Sequence, residues 1–343
     1  VGEVTSSPSQ GPAGDGAVWI PIDHESSVGA ARRTAGTLAE RAGLGEHRAA
    51  EVAIAVSEAA SNLAKHAENG VLMLRVRDAG PTVIDLLAVD SGPGMASVDL
   101  SRRDGHSTTG TLGIGFGAIG RMADELDVHS RPGHGTVLAA AFTAKEDGRL
   151  RRQADGLARP ISGETVCGDG YLIEERDGHL TAVVFDGLGH GPAAALATRT
   201  ALEVFQASDE TTPRGLLGDV HRAIGSTRGG AAGIVRIDLD ARSVAYAGLG
   251  NISGWVAASE GWQSMVSIPG IVGHQARSLR EFTYELPQDS TVVLHSDGLS
   301  SRRITGIPAG LGRHSPLVIA ATLLRDAGIR RDDSCVLVLK PDM

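Results

Sequence analysis

Five aspartates in the C-terminal half of this chain stand where apolar runs give way to turns. Asp186 closes the run Leu180–Phe185 and opens Asp186-Gly187-Leu188-Gly189-His190-Gly191. A carboxylate at the end of a buried strand is costly unless a cation meets it, and no Lys or Arg lies close by in sequence. A hard divalent metal, which takes oxygen ligands, is the best-suited partner. Glycine at 187 lets the backbone carbonyl approach as a further donor. Asp169 in Cys167-Gly168-Asp169-Gly170, Asp297 between Ser296 and Gly298, and the pair Asp332 and Asp333 ahead of Ser334–Leu339 share this setting. One acid–glycine pair alone is an ordinary turn. Several such acids drawn together cannot all stay ionised without cations between them. Two metals bridged by carboxylate would resolve the repulsion and set up a water for attack on phosphorus.

A different constellation occupies the N-terminal half. Glu58 and Asn62, four residues apart, share one face of an expected helix and suit a general base and a metal ligand. As a pair they equally suit a polar stripe. Two later features favour chemistry. Asp90-Ser91-Gly92-Pro93-Gly94 follows an apolar strand, and Gly110, Gly113, Gly115 and Gly117 lead toward a helix expected from Ala118. Glycines before a helix start free backbone N–H groups to meet phosphate oxygens. Lys65 and His66, just past Asn62, are expected to face solvent.

These residues need elements to hold them. The 343 residues suit two domains of ordinary size; 41% are hydrophobic but only 3% aromatic, so the cores are aliphatic. A net charge of -9 argues against a general nucleic-acid binder. Cys167 and Cys335 are too few for a disulfide framework or a structural zinc site, which fits a reducing cytoplasm. No apolar run is long enough for a membrane helix. Residues 1–16, rich in Ser, Pro and Gly, read as a disordered tail rather than a signal peptide. Residues 17–144 read as an α/β sandwich with a mixed sheet and about three helices, at Asp23–Ala42, Glu46–Ala67 and Ala118–Glu125. Residues 145–155 read as a linker. Residues 156–343 carry eight expected strands, with helices at 192–206, 213–224 and 315–327, and suggest a layered α+β sandwich. Asn251, in Gly248-Leu-Gly-Asn-Ile-Ser253, falls in a turn expected to edge a protein-substrate surface.

Glu58-x-x-x-Asn62, Asp90-x-Gly92-x-Gly94, the glycine-rich segment and Gly133-His134-Gly135-Thr136 resemble the asparagine box and glycine boxes of the GHKL (Bergerat-fold) ATPases. Gly113-Ile-Gly115-Phe-Gly117-Ala-Ile-Gly-Arg121 is most similar to serine kinases of bacterial partner-switching modules, the RsbT and RsbW type. The resemblance implies that Glu58 activates the acceptor hydroxyl and Asn62 holds Mg2+ on ATP. It implies that Asp90 accepts from the adenine amino group and Thr136 supports that contact, with Gly92, Gly94, Gly113, Gly115 and Gly117 around the nucleotide. The second half, from about 156 to 340, resembles the PPM (type 2C) phosphatases in their SpoIIE/RsbX-like branch, an α-β-β-α sandwich. That resemblance implies that Asp186 is catalytic and bridges two Mg2+ or Mn2+ ions, with the Gly187 carbonyl, Asp297 and Asp332 completing the set and Asp169 in or beside it. Asp333 is the alternative at the last position. His190 is assigned either to capping the following helix or to proton transfer. No arginine for the phosphate is identified.

Together the resemblances imply a bifunctional regulator. It would phosphorylate and dephosphorylate Ser/Thr of a STAS-domain antagonist protein in a sigma-factor or stress circuit. One competing expectation is a phosphatase whose ATP-binding domain only grips a partner such as a sigma factor. Another is an inactive phosphatase serving as a scaffold.

Overall fold

The computed structural model describes residues 16–78, 82–98, 115–144, 153–258, 261–304, 307–308, 310–329 and 331–341. The chain forms two compact units. One comprises Gly16–Arg151 with Arg313–Arg325, the other Arg152–Gly312 with Asp326–Met343.

The first unit runs β1 (Val18–Pro21), α1 (Glu25–Arg41), α2 (Glu46–His66), β2 (Val71–Asp78), β3 (Thr82–Val89), α3 (Gly115–Met122), β4 (Glu125–Ser130) and β5 (Thr136–Thr143). Its sheet has the order β1-β2-β3-β5-β4. Every pairing in it is antiparallel, where a mixed sheet was expected. Short connections set that direction for β2–β3 and β4–β5, while β1–β2 and β3–β5 pair antiparallel across longer stretches that hold α1 with α2 and α3 with β4. Val52, Ala55, Val56, Ala59 and Leu63 bury one face of α2. They join Leu72, Leu74, Ile84 and Leu86 in one core. Helix α1 ends in a paired-bond glycine stop, with Gly43 N–H donating to Glu40 O (3.1 Å) and Leu44 N–H to Ala39 O (3.0 Å). Helix α3 starts at Gly115, three residues before the expected Ala118, and Glu125 belongs to β4.

The second unit is built on two sheets. Its strands are β6 (Ala154–Arg159), β7 (Asp169–Arg176), β8 (His179–Gly187), β9 (Gly230–Asp238), β10 (Ser243–Leu249), β11 (Ser253–Ala258), β12 (Gly261–Met265), β13 (Ser267–Ile268), β14 (Gly270–Ile271), β15 (Gln275–Ala276), β16 (Phe282–Glu285), β17 (Thr291–His295) and β18 (Ser334–Leu339). One sheet is ordered β13-β10-β9-β8-β7 with β16 beside β10, the other β12-β11-β17-β18-β6, and β14 pairs with β15. Tyr171, Val184, Val235, Tyr246, Val292, Leu294 and Leu337 fill the core between the sheets. Helices α4 (Pro192–Ala207) and α5 (Pro213–Ala223) cover the outer face of the first sheet through Ala201, Phe205, Leu216 and Val220. Strand β6 begins inside the stretch expected as linker, because residues 154–159 pair along the whole of β18.

The last helix, α6 (Pro316–Ala327), is apolar and buried from Leu317 to Leu324. Most of it clusters with the first unit, although its sequence lies within the expected second domain. A polar joint explains the grouping. Asp127 on β4 accepts from Ser315 N–H (2.7 Å) and meets His314 Nδ1 (2.7 Å). His129 Nδ1 lies 3.2 Å from His314 Nε2. Burial, and then the neighbouring His314, lower the His129 pKa to about 4, so the ring is neutral near pH 7.

Candidate functional site

In the second unit the acids come together on strand ends. Strand β8 sits inside its sheet between β7 and β9, which explains its buried run Thr181–Phe185. Asp186 follows that run and stands directly opposite Asp169 on β7. Strand β17, wholly buried between β11 and β18, delivers Ser296 and then Asp297 from the other sheet. Asp332 comes in just ahead of β18.

The electrostatics tie these four together. Burial, then Asp297 and Asp332, push the Asp186 carboxyl up to about 7. Burial and then Asp186 raise Asp169 well above the ordinary carboxylate range, and burial and then Asp332 raise Asp297. Asp169 is 3% exposed, and its Oδ2 has no hydrogen-bond partner among the described residues. No basic side chain figures among the main causes of any of these shifts. Among the described residues, no three acid, His or Cys side chains are already closed around a single point as a metal cage. The donors fit a hard divalent cation in kind: carboxylates plus the carbonyl at Gly187, with an orphaned buried oxygen on Asp169.

The structure separates Asp332 from Asp333. Asp333 is 2% exposed, and both its oxygens are occupied, by Ile161 N–H (2.7 Å) and Gly168 N–H (2.8 Å). It ties the 161–168 loop to the start of β18 and helps to raise Asp169, whereas Asp332 acts on Asp186 and Asp297. Gly298 packs so closely on the Asp333 carbonyl that a Cβ there would collide with backbone. Sequence reasoning missed three further residues. Asn251 donates from Nδ2 to Asp297 Oδ2 at 2.7 Å. The Ser296 hydroxyl accepts from Cys335 N–H at 2.9 Å, joining β17 to β18 beside the acids. Thr198 on α4 donates its hydroxyl to Gly168 O. None has a local signal, since each partner lies at least 30 residues away. His190 is exposed and faces Glu164 at 3.4 Å. It makes no cap to α4, whose N-cap residue is Gly191.

In the first unit, Glu58 and Asn62 are half-buried on α2, and Lys65 and His66 are exposed as expected. Asp90 N–H donates to Thr136 O (2.9 Å), while Asp90 Oδ1 accepts from Gly92 N–H (2.7 Å). Burial raises the Asp90 pKa against the lowering pull of the Gly92 and Thr136 backbone N–H groups. The Thr136 hydroxyl meets Ser130 Oγ at 2.9 Å, and Gly133 N–H donates to Pro93 O at 2.8 Å. The Asp90–Gly94 turn and the Gly133–Thr136 turn therefore interlock. Gly135 (φ +77°) makes this possible, since a Cβ there would collide with the Asp90 backbone. Ser91 N–H reaches Glu68 O (2.9 Å), which fixes the turn at the end of α2, the helix that carries Glu58 and Asn62. Gly110 and Gly113 lie outside the described residues; Gly115 and Gly117 lie within α3 rather than before it.

Comparison with known proteins agrees with both halves. Residues 20–142 match the histidine kinase-like ATPase domain family, and residues 176–342 match the stage II sporulation protein E (SpoIIE) family. The serine/threonine-protein kinase RsbT of Bacillus subtilis is 33% identical over 122 residues, which are 35% of this chain and 92% of RsbT. The phosphoserine phosphatase RsbX of the same organism is 24% identical over 140 residues, 40% of this chain and 70% of RsbX. A solved structure described as part of the bacterial stressosome, a modular system adapted to control secondary messenger signaling, is 26% identical. It superposes with a TM-score of 0.50 over 55% of this chain and 98% of its own. The chain belongs to the RsbT family through its N-terminal part and fuses that kinase-like ATPase domain to a PPM phosphatase domain of the SpoIIE kind. No helix among the described residues is long and apolar enough to cross a membrane.

Proposed function

We propose that this protein is a bifunctional partner-switching regulator. Its first unit phosphorylates, and its second dephosphorylates, Ser/Thr of a STAS-domain partner protein. The observation that carries the phosphatase half is the cross-strand pair Asp169 and Asp186, two acids opposed in the ladder and joined by Asp297 and Asp332. Asp186 with the Gly187 carbonyl, Asp297, Asp332 and Asp169 would hold two Mg2+ or Mn2+ ions. Those ions would supply positive charge to the phosphoryl oxygens and a water acidic enough to attack near pH 7. The chain's own part is to hold the acids at fixed strand ends and to brace them through Asn251, Ser296 and the Asp333 clamp.

On the kinase side little covalent chemistry is asked of the protein; positioning and charge neutralisation suffice. Asp90, held in the interlocked turn, would accept from the adenine amino group with Thr136 behind it. Asn62 would hold Mg2+ on the triphosphate, and Glu58, one turn earlier on α2, would take the proton of the acceptor hydroxyl. The alternative, a nucleotide-gated grip on a partner such as a sigma factor, gives Glu58 no task.

One experiment tests the whole reading. A candidate STAS protein is incubated with the chain and Mg·ATP, ATP is removed, and Mn2+ is added. Phosphate that appears and then leaves is the expected result. Removal from a prephosphorylated partner without any addition reduces the first unit to a binding module. If phosphate is neither added nor removed, the proposal is overturned.

A further inference from the structure

Arg228 stands against the turn that follows Asp186, on the loop between α5 and β9, and its root is fixed while its head is free. Thr227 N–H donates to Ile224 O (2.9 Å), and Thr227 O meets His274 Nε2 (3.0 Å). Leu188 N–H, in the turn that follows Asp186, donates to Gly229 O (3.0 Å), and Gly230 pairs with Gly187 in the β8–β9 ladder. The residue is thereby clamped from both sides to the Asp186–Gly189 turn. Its guanidinium reaches that turn, with Nη1 3.1 Å from where a side chain on Gly189 would begin. Arg228 is exposed and makes no hydrogen bond or ion pair among the described residues. It does not figure among the main influences on Asp169, Asp186 or Asp297, so its charge is not spent on neutralising them.

An arginine in this state is a preset fork for two oxygens of one phosphoryl group. We propose that Arg228 is the phosphate-recognition residue of the second unit, binding the non-bridging oxygens of phosphoserine or phosphothreonine and of the inorganic phosphate released from them. The site was left without an arginine by the sequence motifs; the fold supplies one from a loop 42 positions beyond Asp186. The inference rests on the phosphatase reading above. It adds the residue that selects a phosphomonoester over neutral esters.

The test uses the full chain loaded with Mn2+, as wild type, Arg228→Ala and Arg228→Lys. Inorganic phosphate binding is measured by calorimetry, Mn2+ affinity by titration of the metal-free protein, and KM and kcat on a phosphoserine peptide and on p-nitrophenyl phosphate. For Arg228→Ala, the phosphate dissociation constant and KM for both substrates are expected to rise about tenfold or more. Mn2+ affinity should hold, and Arg228→Lys should recover part of the loss. Absence of phosphate binding by wild type, or a change under twofold in Arg228→Ala, overturns the assignment. A KM effect confined to the peptide also overturns it, because the contact would then be to peptide rather than phosphoryl group. Failure of the phosphatase reading shows separately, as absence of Mn2+-dependent turnover by wild type whatever the phosphate titration gives.

Discussion

Asp85 in the first unit and Asp169 in the second are both buried carboxylates facing a charged residue across an antiparallel ladder, and the fold treats them in opposite ways. Asp85 is 0% exposed and stands opposite Arg75 on β2. Arg75 Nε reaches its Oδ2 at 2.8 Å and Arg77 Nε the same oxygen at 2.5 Å, with Arg77 Nη2 at 3.3 Å from Oδ1. Asp169 stands opposite another acid, Asp186, and keeps one oxygen without a partner among the described residues. Like charges directly opposite destabilise a sheet, and this chain demonstrably can place arginine across from a buried acid. Where it instead places acid against acid, with Asp297 and Asp332 added, the arrangement gives up stability, and on the proposed reading it does so for an ion that comes from outside.

That contrast can be broken at either end. The largest expected effect is on activity. Asp186→Asn should lower metal-dependent phosphomonoester hydrolysis about a hundred- to a thousandfold, by loss of a charged ligand to the ions that would stabilise the reacting phosphoryl group. In the metal-free state the same change should raise the melting temperature, because it removes one member of a repelling cluster; a fall there would mean Asp186 is structural. Asp85→Ala should do the reverse. It should cost about 3–5 kcal/mol in urea unfolding by stranding two buried guanidiniums, and leave the Mn2+ affinity of the second unit unchanged.

The third effect is a pH dependence. Asp186 titrates near 3.8 when unfolded and near 7 when folded without metal. A raised folded pKa gives stability that is complete below about pH 4 and lost as pH climbs through about 7. The metal-free melting temperature should therefore fall between pH 5 and pH 8. Saturating Mg2+ or Mn2+ should restore more of it at pH 8 than at pH 5, since the ions bind the ionised form. Equal metal-induced shifts at both pH values would separate the metal from these carboxylates.

Only part of this arrangement is written in local sequence. An acid directly after an apolar run is a local pattern, so Asp186, Asp297 and the 332–333 pair were legible, as was the two-sheet layering from strands followed by clustered helices. The choice between Asp332 and Asp333 was not. Adjacent residues share every local signal, and only the bonds from Ile161 and Gly168, more than 160 residues away, occupy Asp333 and leave Asp332 to the cluster. The all-apolar stretch Leu317–Ala321 shows that α6 is buried but not against what; the Asp127–His314–Ser315 joint decides that, and it spans 187 residues at His314. The start of α3 was misplaced because Gly115 and Gly117 have poor helix propensity, which packing of Ile119 into the first core overrides.

The smallest predicted effect bears most finely on the contrast between a paired acid and an open one. Asn251 gives Asp297 a neutral partner, a 2.7 Å bond from an exposed side chain. An amide fixes the carboxylate's orientation without cancelling its charge, which is what an acid awaiting a cation requires and what Arg75 and Arg77 deny Asp85. Outer partners of metal ligands typically contribute about ten- to a hundredfold in metal affinity; with Asn251 exposed, the low end applies. Asn251→Ala should weaken Mn2+ binding about tenfold and leave urea stability of the metal-free protein within experimental error, with activity restored at high Mn2+. Asn251→Asp, of the same size, should do worse at low metal, because it adds a further acid where a donor stood. If both variants bind Mn2+ like wild type, Asp297 needs no orienting partner and the amide contact is incidental to the site.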